Sequence, residues 1–514
     1  MKRILLIIAV SIITINSSAQ NVGIGTSTPE TSAALDVKSS NKGLLPPRMT
    51  TVERNAIANK VAGLMIYNTV TSCLEVYNGS NWINLCSSLP SSVLTRTLLG
   101  GILKDEGYSV AQTADGGYII GGTTESSQNG DVTDINKGGV DCWVIKLDAT
   151  GNITWNKVFG GSGFDQLKNI EPTTDGGYIF CATTGSSANG DVTGINKGVF
   201  DLWVVKLNAI GNITWNVLLG GNMPEIAGSV LQTADNGYIL GGYTNSSANG
   251  DVTEVSKGST DFWIVKLNSL GAVQWNKLLG GIGEEQLSSV VLTSDGGYIA
   301  AGYTTSSASG NVTGILNGIF DFWTIKVNST GTPVWNKSIG GSMEQIAYSL
   351  QSTVDGGCVV AGKSSSAGSG NITGINNGLN DYLVVKLDAT GNISWTKLLG
   401  GNAEESAASV QQTPDGGFII VGHSSSSASG NVTQTNVGIE DAWVVKLNSV
   451  GAVQWSRLYG GSLSDFATSV DLTADGGYII TGYTNSSASG AVIGTNHGIN
   501  DVWVLRLDAN GNIL

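Results

Sequence analysis

The chain has 514 residues, of which 41% are hydrophobic and only 13% are charged. This composition allows a large buried core and excludes a chain that is disordered throughout. The formal net charge of −14 argues against nucleic acid or an anionic membrane surface as a partner, because both require basic patches.

Residues 1–19 are predicted to be a secretory signal peptide. Met1-Lys2-Arg3 is a short basic start, residues 4–15 form an apolar run, and Ser17-Ser18-Ala19 offers small residues for cleavage before Gln20. A membrane anchor is the alternative, but a spanning helix needs about 20 apolar residues. We therefore expect cleavage after Ala19, a secreted or outer-surface protein, and no transmembrane segment in the mature chain.

A small, mainly-β module is predicted at residues 20–88, followed by a linker at 89–92. The stretches 74–77 and 82–85 are predicted strands joined by a four-residue turn. Pairing these strands across the turn places Cys73 opposite Cys86, and an oxidising compartment would allow the two to form a disulfide. The other cysteines lie in predicted strands, at different positions of the repeat, and are expected to be small buried side chains: Cys142, Cys181 and Cys358.

One helix is predicted in this module, at residues 50–59, with Thr50 or Thr51 as its cap. The wording of the module, NVGIGTSTP, ALDVKSSNKGLLPPRMT and LEVYNGSNWINL, resembles a segment found near the N-terminus of exported Gram-negative surface proteins and tail-fibre-like proteins. The resemblance implies attachment or assembly at a surface, and oligomerisation through this module.

A sixty-residue unit fills the rest of the chain. It begins at Gly101 and starts again, without insertion or deletion, at Gly161, Gly221, Gly281, Gly341, Gly401 and Gly461. In the first copy, strands are predicted at 109–113, 118–123, 143–147 and 153–159, and short glycine-containing turns join the first pair and the last pair. Four short antiparallel strands in every repeat predict an all-β, seven-bladed β-propeller.

The two ends of the chain are predicted to share the last blade. The seventh copy reaches Leu514 at the start of its fourth strand, and residues 93–99 precede the first copy in the register of that strand. We therefore expect an N-terminal strand to close the ring, with the propeller spanning residues 93–514.

Twelve of the thirteen tryptophans fall at two repeat positions, which predicts packing between blades. The first set is Trp143, Trp203, Trp263, Trp323, Trp443 and Trp503, and the second is Trp155, Trp215, Trp275, Trp335, Trp395 and Trp455.

The recurring motifs DGGYI, GYT, D-x-W-V-V-K-L and GNITWNK resemble the extracellular propeller repeats of bacterial and archaeal surface proteins. The turn at residues 148–151 followed by Trp155 is also similar to the tryptophan-docking turn of quinoprotein dehydrogenases. The sequence contains no residue set that would carry the chemistry of those enzymes.

Polar positions shared by the seven copies are interpreted as structural. An aspartate falls in the first turn: Asp115, Asp175, Asp235, Asp295, Asp355, Asp415 and Asp475. A second precedes the third strand: Asp141, Asp201, Asp261, Asp321, Asp381, Asp441 and Asp501. A cation lies within that apolar strand: Lys146, Lys206, Lys266, Lys326, Lys386, Lys446 and Arg506. A buried cation needs a partner, which these acids can supply.

Candidate binding residues come from two loops that must emerge on one face, the loop between successive copies and the long loop between the second and third strands. The first loop carries Asp105, Asp165, Glu225, Glu285, Glu405 and Asp465, with Gln345 in the fifth copy. The second carries Asp131, Asp191 and Asp251 in the first three copies and Asn or Ala in the others. We expect an acidic face that binds a polar ligand or a cation such as Ca²⁺. The alternative is that these acids are solvated or cap neighbouring backbone.

Residues that break the repeat are further candidates for a binding site: Lys168, Glu171 and Pro172 in the second copy, Gln345 and Lys363 in the fifth, and His423 in the sixth. His423 and His497 are the only histidines, and no Cys/His metal set or G-x-S-x-G motif occurs. The preferred interpretation is a secreted or surface-associated, non-enzymatic binding or adhesion protein that holds an extracellular polysaccharide or protein on one propeller face. The alternatives are a purely structural envelope or fibre component, and a carbohydrate-active or quinoprotein-like propeller enzyme.

Overall fold

A computed structural model describes residues 22–24, 26, 28, 35–39, 44–71, 73–84 and 96–514. The predicted signal peptide, the linker at 89–92 and Cys86 lie outside these residues. The chain divides into two compact units, Met1–Ser91 and Ser92–Leu514.

The N-terminal unit contains two small sheets and one short helix. Strands Val22–Ile24 and Leu35–Val37 pair in parallel. Strands Arg48–Met49, Met65–Asn68, Cys73–Tyr77 and Trp82–Asn84 form a four-stranded sheet in that order, with a parallel first pair and antiparallel pairs after it.

The helix of this unit spans Thr51–Ala56, which is shorter than the predicted 50–59. Thr50 caps its start, because its hydroxyl accepts the Glu53 N–H while the Glu53 carboxylate accepts the Thr50 N–H at 2.8 Å. The helix ends early because the backbone of Ile57 leaves helical geometry, with ψ at 120°. Tyr77 pairs with Trp82 across the turn, as predicted. Cys73 takes part in a disulfide; its pairing with Cys86 stays a prediction, because Cys86 is not among the described residues.

The second unit is a ring of seven four-stranded antiparallel sheets, the blades, numbered here one to seven along the chain. The first and innermost strands are Asp105–Gln112, Asp165–Pro172, Glu225–Gln232, Glu285–Leu292, Gln345–Ser352, Glu405–Gln412 and Asp465–Leu472. The second strands are Tyr118–Thr124, Tyr178–Thr184, Tyr238–Thr244, Tyr298–Thr304, Cys358–Ser364, Phe418–Ser424 and Tyr478–Thr484.

The third strands of the blades are Asp141–Leu147, Asp201–Leu207, Asp261–Leu267, Asp321–Val327, Asp381–Leu387, Asp441–Leu447 and Asp501–Leu507. The fourth, outer strands are Ile153–Phe159, Ile213–Leu219, Val273–Leu279, Pro333–Ile339, Ile393–Leu399, Val453–Tyr459 and, in blade seven, Arg96–Leu99. The all-β, seven-bladed propeller predicted from the repeat is therefore confirmed.

Both ends of the unit contribute to blade seven, as predicted. Arg96–Leu99 pairs antiparallel with Asp501–Leu507, with Leu99 opposite Val502. Ile513 bridges to Leu507 at the position where the other fourth strands begin. The outer strand of this blade is therefore made from two separate stretches of chain.

The core consists of apolar clusters between adjacent blades. Trp143 and its counterparts Trp203, Trp263, Trp323, Trp443 and Trp503 are buried in these clusters. The second tryptophan of each repeat docks onto the following blade. Trp155, for example, packs edge-on against Tyr178 at 5.8 Å between ring centroids and lies directly under Gly211. Gly211 has φ +75 and no room for a Cβ, so only glycine fits the docking turn.

Ion pairs join the cation of each third strand to the first turn of the same blade, as predicted. The Lys146 ammonium lies 2.9 Å from the Asp115 carboxylate and donates to the Leu147 carbonyl at 2.8 Å. The same pair occurs in every blade, with Arg506 and Asp475 in the seventh. These ion pairs hold the third strand of each blade to its first turn.

The long loops and the loops between copies meet on one face of the propeller, as predicted. In blade one the Asp131 N–H donates to the Gly100 carbonyl at 2.9 Å and the Ile102 N–H donates to Asn129 Oδ1 at 2.6 Å. We call the face on which these two kinds of loop meet the long-loop face. The opposite, tight-turn face carries the short turns such as residues 113–117.

Candidate functional site

A β-bulge in every innermost strand builds the centre of the long-loop face. In blade one the register with the second strand shifts between Gly107 and Ser109, so Tyr108 has no partner in the second strand. The same shift occurs at the equivalent position of the other six blades. A bulge re-aims a side chain, and here it turns one residue per blade toward the axis of the ring.

The bulge residues line a central cavity of about 540 Å³ to which all seven blades contribute. We call it the mouth pocket. Its aromatic side chains are Tyr108, Tyr243, Tyr348, His423, Phe466 and Tyr483, and its hydroxyl side chains include Ser288, Ser406 and Thr468.

The aromatic residues of blades six and seven form a continuous wall. The ring centroids of His423 and Phe466 lie 4.9 Å apart at an interplanar angle of 70°, and Phe466 stacks on Tyr483 at 4.9 Å and 29°. Burial lowers the pKa of His423 to about 4, so its imidazole is uncharged at neutral pH. The wall therefore presents aromatic faces without formal charge.

Lys168 is the charged member of the pocket lining. Its ammonium lies 5.7 Å from the centroid of the Tyr108 ring, and burial lowers its pKa. The Tyr108 hydroxyl in turn donates to the Glu106 carboxylate at 2.5 Å. One cation beside several aromatic faces is an arrangement suited to noncovalent binding of a polar ligand.

The channel narrows below the mouth pocket, where each innermost strand contributes a serine or, in blade two, Asn169. These side chains accept backbone N–H groups of the next blade, as in Val290 to Ser229 Oγ at 2.8 Å and Val230 to Asn169 Oδ1 at 3.0 Å. Deeper in the channel, burial and then the Asp471 carboxylate raise the pKa of Glu171 to about 7, although a hydrogen bond from Asn169 opposes the shift. The narrow part of the channel is thus occupied by side chains that hold the blades together.

An off-axis cavity of about 490 Å³ lies beside the outer strands of blades one and two. Both of its lysines already have polar partners: Lys137 pairs with Asp191 at 2.9 Å, and the Lys157 ammonium donates to Asn212 Oδ1 at 2.5 Å. The mouth pocket is therefore the stronger candidate site.

The acidic ring expected from the loop between copies is not at the surface. Asp105, Asp165, Glu225, Glu285, Glu405 and Asp465 are fully buried at the first residue of each innermost strand. Their carboxylates turn inward and accept hydrogen bonds from the loops around them. Asp105, for example, accepts the Gly101 N–H at 2.7 Å and the Ser126 hydroxyl at 2.9 Å. Gln345 does the same through its carbonyl oxygen, which accepts the Gly341 N–H at 2.9 Å. A ligand on the face does not reach these groups.

The three aspartates expected to bind a cation lie in different blades and act on backbone. Asp131, Asp191 and Asp251 each accept an N–H, from Gly100, Gly160 and Gly220, at 3.0 to 3.1 Å. Asn311 and Asn431 accept the equivalent N–H groups with their amide oxygens, which explains why either Asp or Asn can stand at this position. Across the described parts of the chain, no group of three or more His, Cys, Asp or Glu side chains is placed to hold a metal ion. Calcium binding stays a prediction.

The residues that break the repeat are brought partly together. Lys168 and His423 both line the mouth pocket. Lys363 occupies in blade five the position of His423 in blade six, and its ammonium lies 3.9 Å from the Glu404 carboxylate. Sequence analysis missed Tyr108, Tyr348 and Phe466. Tyr108 and Tyr348 could have been found, because they stand at the bulge position, which varies among the copies while serine or asparagine follows it. Phe466 stands two residues before that position, at another place where the copies vary.

Comparisons with known proteins separate the two units. Residues 23–97 match the family model of a phage tail like trimerisation region. Among curated proteins, none matches this chain.

Solved structures similar to this chain include β-propeller domains. They include the WD40 β-propeller domain of Doa1, at 13% identity and a TM-score of 0.43 over 80% of this chain and 96% of that one. The WD40 domain of Pan2 from Neurospora crassa has 12% identity and a TM-score of 0.43, over 81% and 98%. BamB from Moraxella catarrhalis has 15% identity and a TM-score of 0.33, over 87% and 95%. These likenesses concern the fold alone.

Among the residues that the structure describes, no helix is long and apolar enough to cross a membrane.

Proposed function

We propose that this chain is a secreted or surface-associated, non-enzymatic binding or adhesion protein whose mouth pocket holds a polysaccharide. Tyrosine, histidine and phenylalanine rings offer apolar faces for sugar rings, while serine and threonine hydroxyls can bond sugar hydroxyls. The cavity of about 540 Å³ is large enough for a few sugar units.

The observation that carries the proposal is the loss of sevenfold symmetry at this pocket. The first-turn aspartates and the third-strand cations keep their chemistry around the ring. The bulge residue, in contrast, differs among the blades: Tyr108, Lys168, Gly228, Ser288, Tyr348, Ala408 and Thr468. A blade needs no particular side chain at a position that faces the channel. Variation there suits a site that recognises an asymmetric ligand.

The test is a glycan array probed with residues 20–514, followed by isothermal titration of the best glycan. We expect the double variant Tyr243→Ala/Tyr483→Ala to lose most of the affinity. The substitutions remove two aromatic rings on which sugar rings would stack, and they leave the blade core unchanged. The control is Val354→Ala, whose side chain is 94% exposed on the tight-turn face. Absence of any array signal would contradict the proposal and favour a structural role, and unchanged affinity in the double variant would move the site elsewhere.

A protein ligand is the second candidate, and a set of exposed aliphatic side chains favours it. Val199, Ile319, Leu379, Ile439 and Ile499 lie on the long-loop face and are between 50% and 69% exposed. Their loop is held in place, as the Leu379 N–H donates to the Ala403 carbonyl at 2.8 Å. Exposed apolar side chains fixed on one face often mark a protein contact. If the variant Leu379→Asp/Ile439→Asp loses cell-surface adhesion while glycan binding is unchanged, the protein ligand is supported.

We also propose that the N-terminal unit assembles three copies of the chain. The family model matched by residues 23–97 is named for trimerisation, and Leu44, Leu45 and Val52 are between 70% and 78% exposed in one copy. Sedimentation of residues 20–514 should give three times the mass of one chain, whereas residues 89–514 should sediment as a monomer. A monomer from the longer chain at micromolar concentration would contradict the assembly.

Export is tested separately. The mature protein isolated from the culture medium or the cell surface should begin at Gln20, as determined by mass spectrometry of its N-terminal peptide. A cytoplasmic protein that retains residues 1–19 would contradict the extracellular role.

A further inference from the structure

Lys168 lacks a carboxylate partner in its surroundings. Among the described residues, no acidic side chain lies within 4 Å of its ammonium, in contrast to the lysines that form ion pairs. The acid that influences it most is Glu106 on the innermost strand of blade one. Lys168 also faces the Tyr108 ring and the Cys181 thiol, and burial raises the pKa of that thiol to about 12, so the thiol is neutral.

Both carboxylate oxygens of Glu106 already bind other groups. Its Oε1 accepts the Lys104 ammonium at 2.9 Å and the Asn500 side-chain amide at 2.9 Å, and its Oε2 accepts the Tyr108 hydroxyl at 2.5 Å. A carboxylate with both oxygens occupied gives Lys168 only long-range attraction. The cation is therefore half-buried without a direct counterion, an arrangement that costs stability unless a ligand completes it.

The other lysines of the propeller interior differ in this respect. Lys146 and its counterparts each lie within 3 Å of an aspartate of their own blade. The other bulge positions carry Tyr, Gly, Ser, Ala or Thr, so blade packing has no need of a cation there. The position of Lys168 at the pocket wall, beside the Tyr108 ring, leaves its ammonium available to a bound molecule.

We propose that Lys168 anchors a carboxylate of the bound saccharide, so that the ligand is a polysaccharide containing uronic or similar acidic sugars. The inference rests on the proposed function of the mouth pocket. In the complex, the Lys168 ammonium pairs with the sugar carboxylate while the wall of His423, Phe466 and Tyr483 stacks on sugar rings.

The surroundings of the pocket limit the charge density of this ligand. Glu284, Glu344 and Glu404 precede the innermost strands of blades four to six and are half-buried near the long-loop face. The chain as a whole carries a net charge of −14. Lys363 lies 3.9 Å from Glu404 and offsets one of these acids, whereas Lys168 is the lysine that lines the pocket itself. A single lining cation suits an isolated carboxylate between neutral sugars, and a dense polyanion would be repelled.

The test is a microarray of oligosaccharides that contain one glucuronic acid. Each is printed beside its carboxyl-reduced form, an analogue of that reduced form that carries a sulfate group, and a polygalacturonate. The proteins are residues 20–514 as wild type, Lys168→Met, Lys168→Arg and the matched control Lys337→Met, whose lysine lies on the outer strand of blade four. We expect the wild type and Lys337→Met to prefer the acidic form over the reduced form by about tenfold. Lys168→Met should retain the affinity for the reduced form and lose the preference, and Lys168→Arg should restore part of it.

The outcomes separate the inference from the proposed function. If the wild type binds acidic and reduced forms equally, or if Lys168→Met keeps the preference, the role of Lys168 is wrong while saccharide binding stands. If the sulfated analogue or polygalacturonate binds better than the single uronic acid, the assignment to an isolated carboxylate is wrong. If no form binds to the wild type, both the proposed function and the inference are wrong.

Discussion

Lys266 shows how each third strand accommodates a cation in the propeller interior. Its ammonium lies 2.9 Å from Asp235 Oδ2, and it donates to the Leu267 carbonyl at 2.9 Å. The Lys266 side chain is 5% exposed whereas that of Asp235 is 54% exposed. The two partners therefore depend on the ion pair to different degrees. If Lys266 is removed, water can solvate the exposed Asp235 carboxylate, but if Asp235 is removed, water cannot solvate the buried Lys266 ammonium.

This asymmetry predicts different costs for removing either partner. Asp235→Ala leaves a buried cation without its carboxylate and should lower the free energy of unfolding by about 1–3 kcal/mol. Lys266→Met replaces the cation by an apolar side chain of similar length and should cost less than about 1 kcal/mol. Urea denaturation of both variants measures the difference. Equal losses, or a larger loss for Lys266→Met, would contradict the account.

At the scale of elements, the outer strand of one blade is fixed to the next by a docked tryptophan. The Trp155 ring lies so close under Gly211 that a Cβ on that glycine would approach the ring to 2.8 Å. Gly176, in a first turn, has a similar φ of +80, but a Cβ there would meet nothing within 4 Å. The two glycines thus share backbone geometry and differ in packing.

The pair Gly211→Ala and Gly176→Ala isolates the contribution of docking. Both substitutions place a Cβ at positive φ, which costs about 1–2 kcal/mol. Gly211→Ala must in addition displace Trp155, so we expect it to destabilise the propeller further and to change the near-ultraviolet circular dichroism of tryptophan. Chemical denaturation and that spectrum test both variants. Identical stability losses with an unchanged spectrum would show that docking contributes little.

The closing strand Arg96–Leu99 is the element on which the ring depends. It pairs with the third strand of blade seven and buries Leu98 and Leu99. Without it, the edge of Asp501–Leu507 would be open to pairing with another chain.

Deletion of this strand should therefore be far more damaging than deletion of the N-terminal unit. A chain that begins at Gly100 lacks Leu98 and Leu99, so it should lose the roughly 3–6 kcal/mol that burial of these two side chains contributes and should aggregate. A chain that begins at residue 89 should retain the stability of the propeller. Thermal unfolding and light scattering compare the two. Equal melting temperatures would contradict closure by this strand.

At the scale of the whole molecule, the repeat predicts the architecture because every blade must solve the same packing problem. The fixed spacing places Trp143 and Trp155, the first turn and the third strand in each blade, and the text of residues 93–99 identifies the closing strand. Periodicity shows which positions are constant, and it also shows which positions vary.

The direction of a side chain could not be predicted in the same way. Asp105 was expected on the face, but it turns inward because the Gly101 N–H and the Ser126 hydroxyl need an acceptor inside the loop. Tyr108 was missed because a bulge shifts by one residue the alternation of side chains between the two faces of the strand. The sequence of a single copy does not indicate where a bulge lies. Lys168 and His423 were found because they depart from the other copies.

Two sets of carboxylates set the dependence of stability on pH, one buried and one exposed in the first turns. Burial raises the pKa of Asp141, Asp381 and Asp441 to about 6. In the first turns, the pKa of Asp295 is lowered to about 2, first by the hydrogen bond from Lys326, and that of Asp235 is lowered to about 2, first by the hydrogen bond from Thr233. The folded protein therefore binds protons more tightly than the unfolded chain at the first set and less tightly at the second.

We expect the propeller to be most stable near pH 4, close to the ordinary pKa of an aspartate in the unfolded chain. Above this value, the free energy of unfolding falls as pH rises toward 6, because the folded state must release protons that it holds more tightly than the unfolded state. Below it, stability falls toward pH 2 as the first-turn carboxylates lose their ion pairs. Urea denaturation between pH 3 and 8 gives the curve, and Asp381→Asn should flatten its upper arm. A stability that rises steadily from pH 4 to 7 would contradict the assignment.

We propose that this protein binds its ligand on the long-loop face, at the mouth pocket. Hydrogen–deuterium exchange of residues 20–514, with and without the glycan bound most tightly on the array, tests this location. We predict protection of backbone amides around the bulges, at residues 105–110 and their counterparts in other blades, and no change in the first turns such as residues 113–117. Protection confined to the tight-turn face or to the N-terminal unit would contradict the claim.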